Sequence, residues 1–223
     1  MIELIDFQKT YKRKEIYRLS SFTFPDHAIS FLMGKNGCGK TTLIKCLAGL
    51  ENYSGRILFN GKTLNEVRNE CFVIWDDSPC FHNLSGLDNL IVLGEGKKNR
   101  KEILEISAKY LEPDLLRRKV KSYSYGQRKK LMLALADILE PKYLIMDEVS
   151  NGLDVEMMDE LAAHLKKLKE KSTIILTGHQ FAFYEKVAEH IFIKTKYNVK
   201  YISPEEHAGL RLEDIYYAQT SEN

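Results

Sequence analysis

The stretch GKNGCGKT, residues 34–41, decides the fold class of this chain. It matches the pattern GxxxxGK[ST], a loop that joins a strand to a helix and wraps around phosphate groups. Its context fits, because the apolar run of residues 28–33 precedes it and a helical pattern covers residues 41–50. Glycines let successive backbone N–H groups turn toward phosphate oxygens, and a helix start adds partial positive charge. The stretch therefore predicts a site for nucleotide phosphates, and the alternative is a glycine turn that binds nothing.

The side chains of this loop have different expected roles. Lys40 can reach the β- and γ-phosphates of a nucleotide, while the Thr41 hydroxyl can bind Mg²⁺. Cys38 is interpreted as a small residue that the loop tolerates, with a redox role as the alternative. The residues predicted to contact the nucleotide here are Gly34, Lys35, Asn36, Gly37, Cys38, Gly39, Lys40, Thr41 and Thr42.

Two acids follow the apolar strand predicted for residues 143–146. Asp147 and Glu148 stand at its carboxyl end, which is where open α/β sheets bind their ligands. We expect Asp147 to hold Mg²⁺ and Glu148 to polarise a water aimed at the γ-phosphate. Acids that are merely solvated, or that cap the next helix, are the alternative. The phosphate loop in the same chain favours the catalytic interpretation.

Length, charge and cysteine content exclude several classes of protein. The 223 residues suffice for one large α/β domain, and 33 basic against 31 acidic residues do not indicate a strongly basic nucleic-acid binder. The apolar stretches fall far short of a membrane-spanning helix, and the first residues lack the order of a signal peptide. The four cysteines have neither CxxC spacing nor zinc-ligand spacing with histidine, so we expect free thiols. These features predict a cytoplasmic protein that binds no nucleic acid.

The order of predicted elements fits an α/β fold. Residues 2–59 read mainly as strands, which indicates an antiparallel β part at the N-terminus. Residues 126–194 alternate between helix and strand, as in a parallel sheet with helices on both faces. Between these parts, the helical pattern of about residues 83–125 indicates an inserted helical subdomain. We therefore predict a single domain over residues 1–223, with a P-loop NTPase core of mostly parallel sheet.

A second group of motifs points to a family. Residues 123–128, YSYGQR, and the apolar helix after them resemble LSGGQ, the signature motif of ABC ATPases. Residues 150–154, SNGLD, resemble the family's D-loop, and Asp154 is expected near the nucleotide. The resemblance covers nearly the whole chain, and the motifs stand in the family's order. It implies an ATP-binding, ATP-hydrolysing subunit of the ABC transporter type.

The resemblance also assigns catalytic residues. His179 follows the strand predicted for residues 173–176 and resembles the family's switch histidine. It would contact the γ-phosphate and help to hold the attacking water. Without the resemblance, a single histidine after a strand is more often structural. The expected catalytic residues are therefore Lys40, Glu148 and His179.

Further nucleotide contacts follow from the same resemblance. Tyr11 looks like the aromatic residue that stacks on adenine, since an aromatic face suits a purine, and Tyr17 is its competitor. Ser124, Gly126 and Gln127 belong to the signature segment, which in the family meets the nucleotide held by the opposite subunit. The implied ligands are thus ATP and Mg²⁺, bound between two subunits.

Two positions depart from the family pattern. Asp76, in the segment of residues 72–79 that aligns with the Q-loop, stands where the family usually has Gln. Asp can offer an oxygen to Mg²⁺, so we expect it to contact metal and nucleotide, although it is shorter, charged and lacks an amide donor. Tyr125 replaces the first glycine of the signature pair, as in the YSxG variants of some exporters. Its side chain must point away from the nucleotide if Ser124 and Gly126 are to meet a γ-phosphate.

The resemblance implies a mechanism and partners. Two ATPase subunits, as a homodimer or a heterodimer, would face each other head to tail and close on ATP beneath transmembrane permease subunits. The chain would then be peripheral on the inner face of the cell membrane. Residues 211–217, RLEDIYY, weakly resemble the ending of exporter-type ATPases, which favours export of a drug, peptide or lipid-like cargo. The rivals are a soluble ABC ATPase, such as an iron–sulfur assembly factor, and a P-loop kinase.

Overall fold

The computed structural model of the chain describes residues 1–76, 79–94 and 96–220. The strands in this part of the chain are, in order, β1 (Ile2–Tyr11), β2 (Lys14–Phe24), β3 (Ile29–Met33), β4 (Ser54–Phe59), β5 (Cys71–Ile74), β6 (Tyr143–Met146), β7 (Thr173–Thr177), β8 (His190–Lys194) and β9 (Val199–Ile202). The α-helices are α1 (Lys40–Leu47), α2 (Leu64–Val67), α3 (Gly86–Leu93), α4 (Arg100–Ser107), α5 (Pro113–Leu116), α6 (Tyr125–Leu139), α7 (Val155–Leu168), α8 (Phe181–Tyr184), α9 (Pro204–His207) and α10 (Leu212–Thr220). Short 3-10 helices lie at Arg68–Glu70 and Val120–Ser122.

The chain forms two compact units. The first, here called the core unit, consists of Met1–Val73 and Lys142–Asn223. The second, here called the helical unit, is Ile74–Pro141. The predicted helical subdomain of about residues 83–125 lies inside the helical unit, which is longer because α6 packs against α3 and α4. The sequence pattern had not revealed that packing, because α6 reads locally like any helix between two strands.

The six-stranded sheet carries the predicted parallel topology. Its order is β5-β6-β7-β3-β8-β9. β3 pairs in parallel with β7 and β8, and β6 pairs in parallel with β7, while β9 runs antiparallel to β8 at the edge. Every residue of β3, β6 and β7 is buried, as expected for central strands with both faces covered. The prediction of a mostly parallel α/β core is confirmed.

The predicted antiparallel part is also present. β2, β1 and β4 form a three-stranded antiparallel sheet in that order. Aromatic rings join it to the larger sheet within the core unit: Phe24 lies 4.6 Å from Phe192, and Phe59 lies 5.0 Å from Tyr143, between ring centroids. Rings at these separations bury much apolar area and fix the two sheets against each other.

The topology aligns the ends of three neighbouring strands. The loop of residues 34–39 follows β3, and Asp147 follows β6. His179 follows β7, with only Gly178 between them. Because β6, β7 and β3 are adjacent and parallel, their carboxyl ends meet at one edge of the sheet. The fold therefore brings together segments that are more than 100 residues apart in the sequence. No helix among the described residues is long and apolar enough to cross a membrane.

Candidate functional site

Close packing around Gly39 fixes the backbone at the end of the phosphate loop. Gly39 is the N-cap of α1 and has a φ of 114°, which side chains rarely adopt. A Cβ atom at Gly39 would lie 2.4 Å from Cγ2 of Ile16. The Tyr17 hydroxyl donates to the Gly39 carbonyl at 3.0 Å. The glycine is thus required by both backbone angle and space.

Lys40 is pre-positioned over this loop. Its side chain is buried, and its Nζ donates to the Gly34 carbonyl at 2.9 Å. Lys40 Nζ also lies 3.4 Å from Nε2 of His179. The ammonium group is therefore held at the phosphate loop, as expected of a phosphate-binding lysine.

Asp147 lies beside the first turn of α1. The Thr41 hydroxyl donates to Asp147 Oδ2 at 3.0 Å, and the Thr177 hydroxyl donates to Oδ1 at 2.6 Å. Asp147 is buried, with 4% of its surface exposed. A hydroxyl and a carboxylate side by side are oxygen donors of the kind that Mg²⁺ accepts, with phosphates and waters completing its shell. Among the described residues, no group of three or more His, Cys, Asp and Glu forms a protein-only metal site.

Glu148 adopts a backbone conformation that a non-glycine residue rarely takes. Its φ is 51°, in the left-handed region, and its N–H donates to the Thr177 hydroxyl at 3.1 Å. The resulting turn brings Glu148 Oε1 to 3.3 Å from Nε2 of His179. Burial, and then the charge of Lys40, lower the pKa of His179. The imidazole is therefore neutral at neutral pH, and it lies between the lysine and the carboxylate.

Tyr184 fixes the loop that carries His179. Tyr184 is fully buried, and its hydroxyl donates to the Thr177 carbonyl at 2.6 Å and lies 3.1 Å from the Ser150 hydroxyl. A Cβ atom at Gly178 would lie 1.9 Å from the Tyr184 hydroxyl oxygen. Only glycine can therefore stand between Thr177 and His179. Tyr184 joins this loop to the D-loop-like segment at Ser150.

Asp154 closes that segment. Its side chain accepts a hydrogen bond from the Met157 N–H at 2.9 Å, so it is the N-cap of α7. This contact explains an acid at this position without a ligand. A nucleotide contact of Asp154 across a subunit interface stays a prediction.

A basic cavity borders the phosphate loop in the core unit. Its volume is about 970 Å³, within the range of small-molecule sites. It is bounded by the phosphate-loop residues 35–38, the hairpin residues 13–16 and the turn of residues 194–197. The lining includes one acidic residue, Glu15. Its basic residues are Arg13, Lys14, Lys35, Lys194 and Lys196. The positive lining suits a polyphosphate ligand.

Lys194 forms the floor of this cavity. It is buried, and its Nζ donates to the carbonyls of Ile16 at 2.8 Å and Thr195 at 2.9 Å. The Nζ also lies 4.2 Å from the centre of the Tyr17 ring, a cation–π contact. Burial lowers the pKa of Lys194 to about 8. Burial also raises the pKa of the Cys38 thiol, which keeps it protonated and unreactive at neutral pH.

The buried Lys194 gives a testable pH dependence. Between pH 8 and the ordinary lysine pKa of 10.5, the unfolded state binds more protons than the folded state, so stability rises with pH in this window. We expect the free energy of unfolding of the wild type, minus that of Lys194→Met, to increase by up to about 3 kcal/mol across it. Urea unfolding at several pH values measures this difference. Lys196→Met, which changes an exposed lysine in the same turn, is the control, and a pH-independent difference for Lys194→Met contradicts the prediction.

The two candidate adenine platforms differ in exposure. Tyr17 is completely buried, and its hydroxyl is bound to the phosphate loop. Tyr11, at the end of β1, is 37% exposed, and Lys9 Nζ lies 4.4 Å from the centre of its ring. An adenine requires an accessible ring, which favours Tyr11 over Tyr17 as the stacking residue.

The signature segment lies in the helical unit and caps α6. The Ser124 hydroxyl accepts from the Gln127 N–H at 3.2 Å, and the Gln127 side chain accepts from the Ser124 N–H at 2.9 Å. This reciprocal capping box fixes the start of a 15-residue helix. The Ser124 hydroxyl uses only its acceptor side here, so its proton can still be donated to a phosphate.

Asp76 also lies in the helical unit. Its carboxylate accepts a hydrogen bond from the Tyr125 hydroxyl and lies 3.6 Å from Lys129 Nζ. Asp77 and Ser78, which follow it in the Q-loop-like segment, lie outside the described residues. A metal contact of Asp76 stays a prediction.

Three residues of the core site were not identified from the sequence. Thr177 connects Asp147 and Glu148, Tyr184 supports the histidine loop, and Lys194 donates to the Ile16 carbonyl in β2. Only Thr177 carried a signal, because a polar residue at the end of an apolar strand faces the ligand edge. The other two are buried and bond to backbone carbonyls, which sequence patterns do not report.

Comparisons with known proteins identify the family of the chain. The family profile described as "ABC transporter" matches residues 17–151. The chain is 32% identical to the lantibiotic transport ATP-binding protein SrtF of Streptococcus pyogenes, over 98% of this chain and 97% of that protein. It is 30% identical to YhcH of Bacillus subtilis (strain 168), an uncharacterized ABC transporter ATP-binding protein, over 100% of this chain and 76% of that protein.

A solved structure shares the fold. It is described as the ATP-binding subunit of an ABC transporter, and it superposes with a TM-score of 0.83 over 98% of this chain and 99% of its own, at 22% identity. The family profile spans more than half of the chain and includes both the phosphate loop and the two acids. The protein therefore belongs to the ABC transporter family, as an ATP-binding subunit with ATPase activity in transport.

Proposed function

We propose that this chain hydrolyses Mg-ATP as one of two facing ATPase subunits and thereby powers export through membrane partners. One observation carries the hydrolytic part. Nε2 of His179 lies 3.4 Å from Lys40 Nζ and 3.3 Å from Glu148 Oε1. The fold thus brings a lysine and a carboxylate from separate segments to the same imidazole. A lysine, a neutral imidazole and a carboxylate at one point supply a phosphate clamp and a proton acceptor.

The metal-binding residues in this proposal are Thr41 and Asp147. Their oxygens are adjacent, and the Asp147 carboxylate is held by two hydroxyls that can reorient when a cation arrives. When bound, Mg²⁺ would neutralise charge on the β- and γ-phosphates. Thr177 orients Asp147, and it also orients Glu148 by accepting a hydrogen bond from the Glu148 N–H. The same threonine thus aligns the metal-binding acid with the proposed base.

The proposed base is Glu148. Its carboxylate can accept a proton from a water that attacks the γ-phosphate, and its left-handed backbone fixes the direction in which the side chain leaves the strand. His179 would donate a hydrogen bond to the γ-phosphate or to this water, since its lowered pKa keeps it neutral and able to donate from one nitrogen. Lys40 would hold the β- and γ-phosphates.

The second subunit would complete each site. The start of α6, with the Ser124 hydroxyl and the Gly126 N–H, offers donors and the positive end of a helix of 15 residues. Such donors suit a γ-phosphate presented by an opposite phosphate loop. ATP would then join the two subunits, and hydrolysis would remove the joining charge. A homodimer and a heterodimer both fit this arrangement.

Membrane partners and direction of transport belong to the proposal as well. ABC ATP-binding subunits work with transmembrane permeases, so we place this chain on the inner face of the membrane through such a partner. One relative is named for lantibiotic transport, and the exporter-like ending of this chain, most of which lies in α10, favours export. Among the drug, peptide and lipid-like cargoes that this ending suggests, we propose a peptide-like one. The comparisons do not support the iron–sulfur assembly alternative.

Reconstitution tests the transport proposal. The chain is purified with a candidate membrane partner and is placed in vesicles with the ATPase on the outer face. We expect the membrane protein to stimulate ATP hydrolysis, and a labelled peptide cargo to accumulate inside the vesicles on addition of Mg-ATP. Loss of preloaded cargo from the lumen would assign import. Hydrolysis that never responds to a membrane partner would favour a soluble assembly factor.

A further inference from the structure

The two residues that depart from the family pattern contact each other. Within the helical unit, the Tyr125 hydroxyl donates to the Asp76 carboxylate and also to the Asp76 main-chain carbonyl, at 3.0 Å for the latter. The two residues are 49 positions apart in the sequence. Each of these two residues thus supplies a hydrogen-bond partner to the other.

A third residue explains why position 76 carries a charge. Lys129 lies one turn after Tyr125 on α6, so both side chains are on the same face of the helix. The Lys129 side chain is 2% exposed, and its Nζ lies 3.6 Å from Asp76 Oδ1 and 5.4 Å from the centre of the Tyr125 ring. A buried ammonium is costly without a nearby anion. A neutral Gln at position 76 would not supply that charge.

These contacts act on the start of α6. Tyr125 is the first residue of the helix, and Ser124 directly before it is the N-cap. Tyr125 donates to Asp76, and Lys129 pairs with the same carboxylate one turn later. The first two turns of the helix are therefore fixed to the segment that follows β5. This segment cannot shift without moving the helix start or breaking these contacts.

We propose that Asp76 is a positioning residue that acts through Tyr125 and Lys129, and holds Ser124 and Gly126 in place for the nucleotide of the opposite subunit. The inference rests on the proposed function, because it assumes that the start of α6 binds that nucleotide. In this role the Asp76 carboxylate acts on α6 and not on Mg²⁺. The chain thus replaces the usual glutamine–glycine combination with an acid–tyrosine pair.

The test uses ATP-dependent dimer formation by the full-length Glu148→Gln protein, measured by sedimentation. Tyr125→Phe removes only the hydroxyl, and Asp76→Asn removes the charge with little change of shape. We expect each to raise the dimer dissociation constant about tenfold, the effect of losing one hydrogen bond to a charged group. The double variant should raise the dissociation constant by less than the product of the two single effects, since both changes act on the contact between Tyr125 and Asp76, while the Asp76 charge also pairs with Lys129. ATP affinity of the monomer and its Mg²⁺ dependence should stay the same.

A matched control separates positioning from general stability. Tyr110, which follows α4, donates to Asp137 Oδ2 at 2.6 Å, and Asp137 lies on α6 near the opposite end of that helix. Tyr110→Phe should lower the melting temperature about as much as Tyr125→Phe but leave the dimer affinity unchanged. Asp76→Glu keeps the charge and should recover part of the lost affinity. Equal weakening of the dimer by Tyr110→Phe would reduce the effect to stability and overturn the proposal.

The outcomes also distinguish the two proposals. If Glu148→Gln forms no dimer with ATP, the facing-subunit mechanism fails, and the role of Asp76 fails with it. If that dimer forms and the Tyr125→Phe and Asp76→Asn dimers are equally tight, only the positioning role is wrong. If Asp76→Asn instead shifts the Mg²⁺ dependence of ATP binding while Tyr125→Phe does not, Asp76 is a metal ligand.

Discussion

Replacing Glu148 with Gln is expected to lower the rate of ATP hydrolysis by a factor of about 100 or more while leaving Mg-ATP bound. The amide is nearly isosteric with the carboxylate but cannot accept a proton, and general-base catalysis contributes about 10²–10⁴ to a rate. Phosphate release under saturating ATP measures the effect. The backbone turn at Glu148 rests on its N–H bond to Thr177, which the substitution keeps. The variant should therefore fold normally and accumulate as an ATP-bound dimer.

A second substitution controls for the loss of one negative charge. Glu160 is exposed on α7, and Glu160→Gln should hydrolyse ATP at the wild-type rate. Size-exclusion chromatography with ATP and with ADP shows whether the Glu148→Gln dimer requires the γ-phosphate. Normal turnover by Glu148→Gln would mean that another group activates the water, and His179 would then be the first candidate because it lies 3.3 Å from the carboxylate.

The sequence indicates this site because its parts follow local rules. A glycine loop between strand and helix needs only its own residues to be recognised, and an apolar strand that ends in acids marks the ligand edge of a parallel sheet. Asp147 directly follows β6, and Lys40 begins α1 after the loop that follows β3. The neighbouring order of β6, β7 and β3 then brings in His179.

Other contacts could not be predicted because they join remote segments without a periodic pattern. The hydrogen bond between Tyr125 and Asp76 is of this kind, and so is the support of the Ile16 carbonyl by Lys194. A buried lysine reads as a surface residue in a sequence, since lysine is rarely buried unless its ammonium has partners. Tyr184 likewise reads as an ordinary helix residue, although its hydroxyl fixes the loop of Gly178. The contacts of such residues can be identified only in the folded structure.

Replacing Lys40 with Ala is expected to weaken ATP binding about 100-fold. The change removes the ammonium that the fold holds over the phosphate loop at 2.9 Å from the Gly34 carbonyl. Loss of a charged hydrogen-bond donor to a phosphate costs about 1.5–3 kcal/mol, and each 1.4 kcal/mol is a factor of ten in affinity. Isothermal titration calorimetry or a fluorescent ATP analogue measures the dissociation constant. ADP should lose less affinity than ATP, because Lys40 reaches the β- and γ-phosphates and only ATP carries both.

Lys45→Ala provides the matched control for this change. Lys45 is exposed in the last turn of α1, so it has the same charge on the same helix but no contact with the loop. We expect its ATP affinity to equal that of the wild type. Thermal unfolding of Lys40→Ala must also be followed, because the same substitution removes the contact with His179. If Lys40→Ala stays folded and binds ATP as tightly as Lys45→Ala, the phosphate-loop interpretation is wrong.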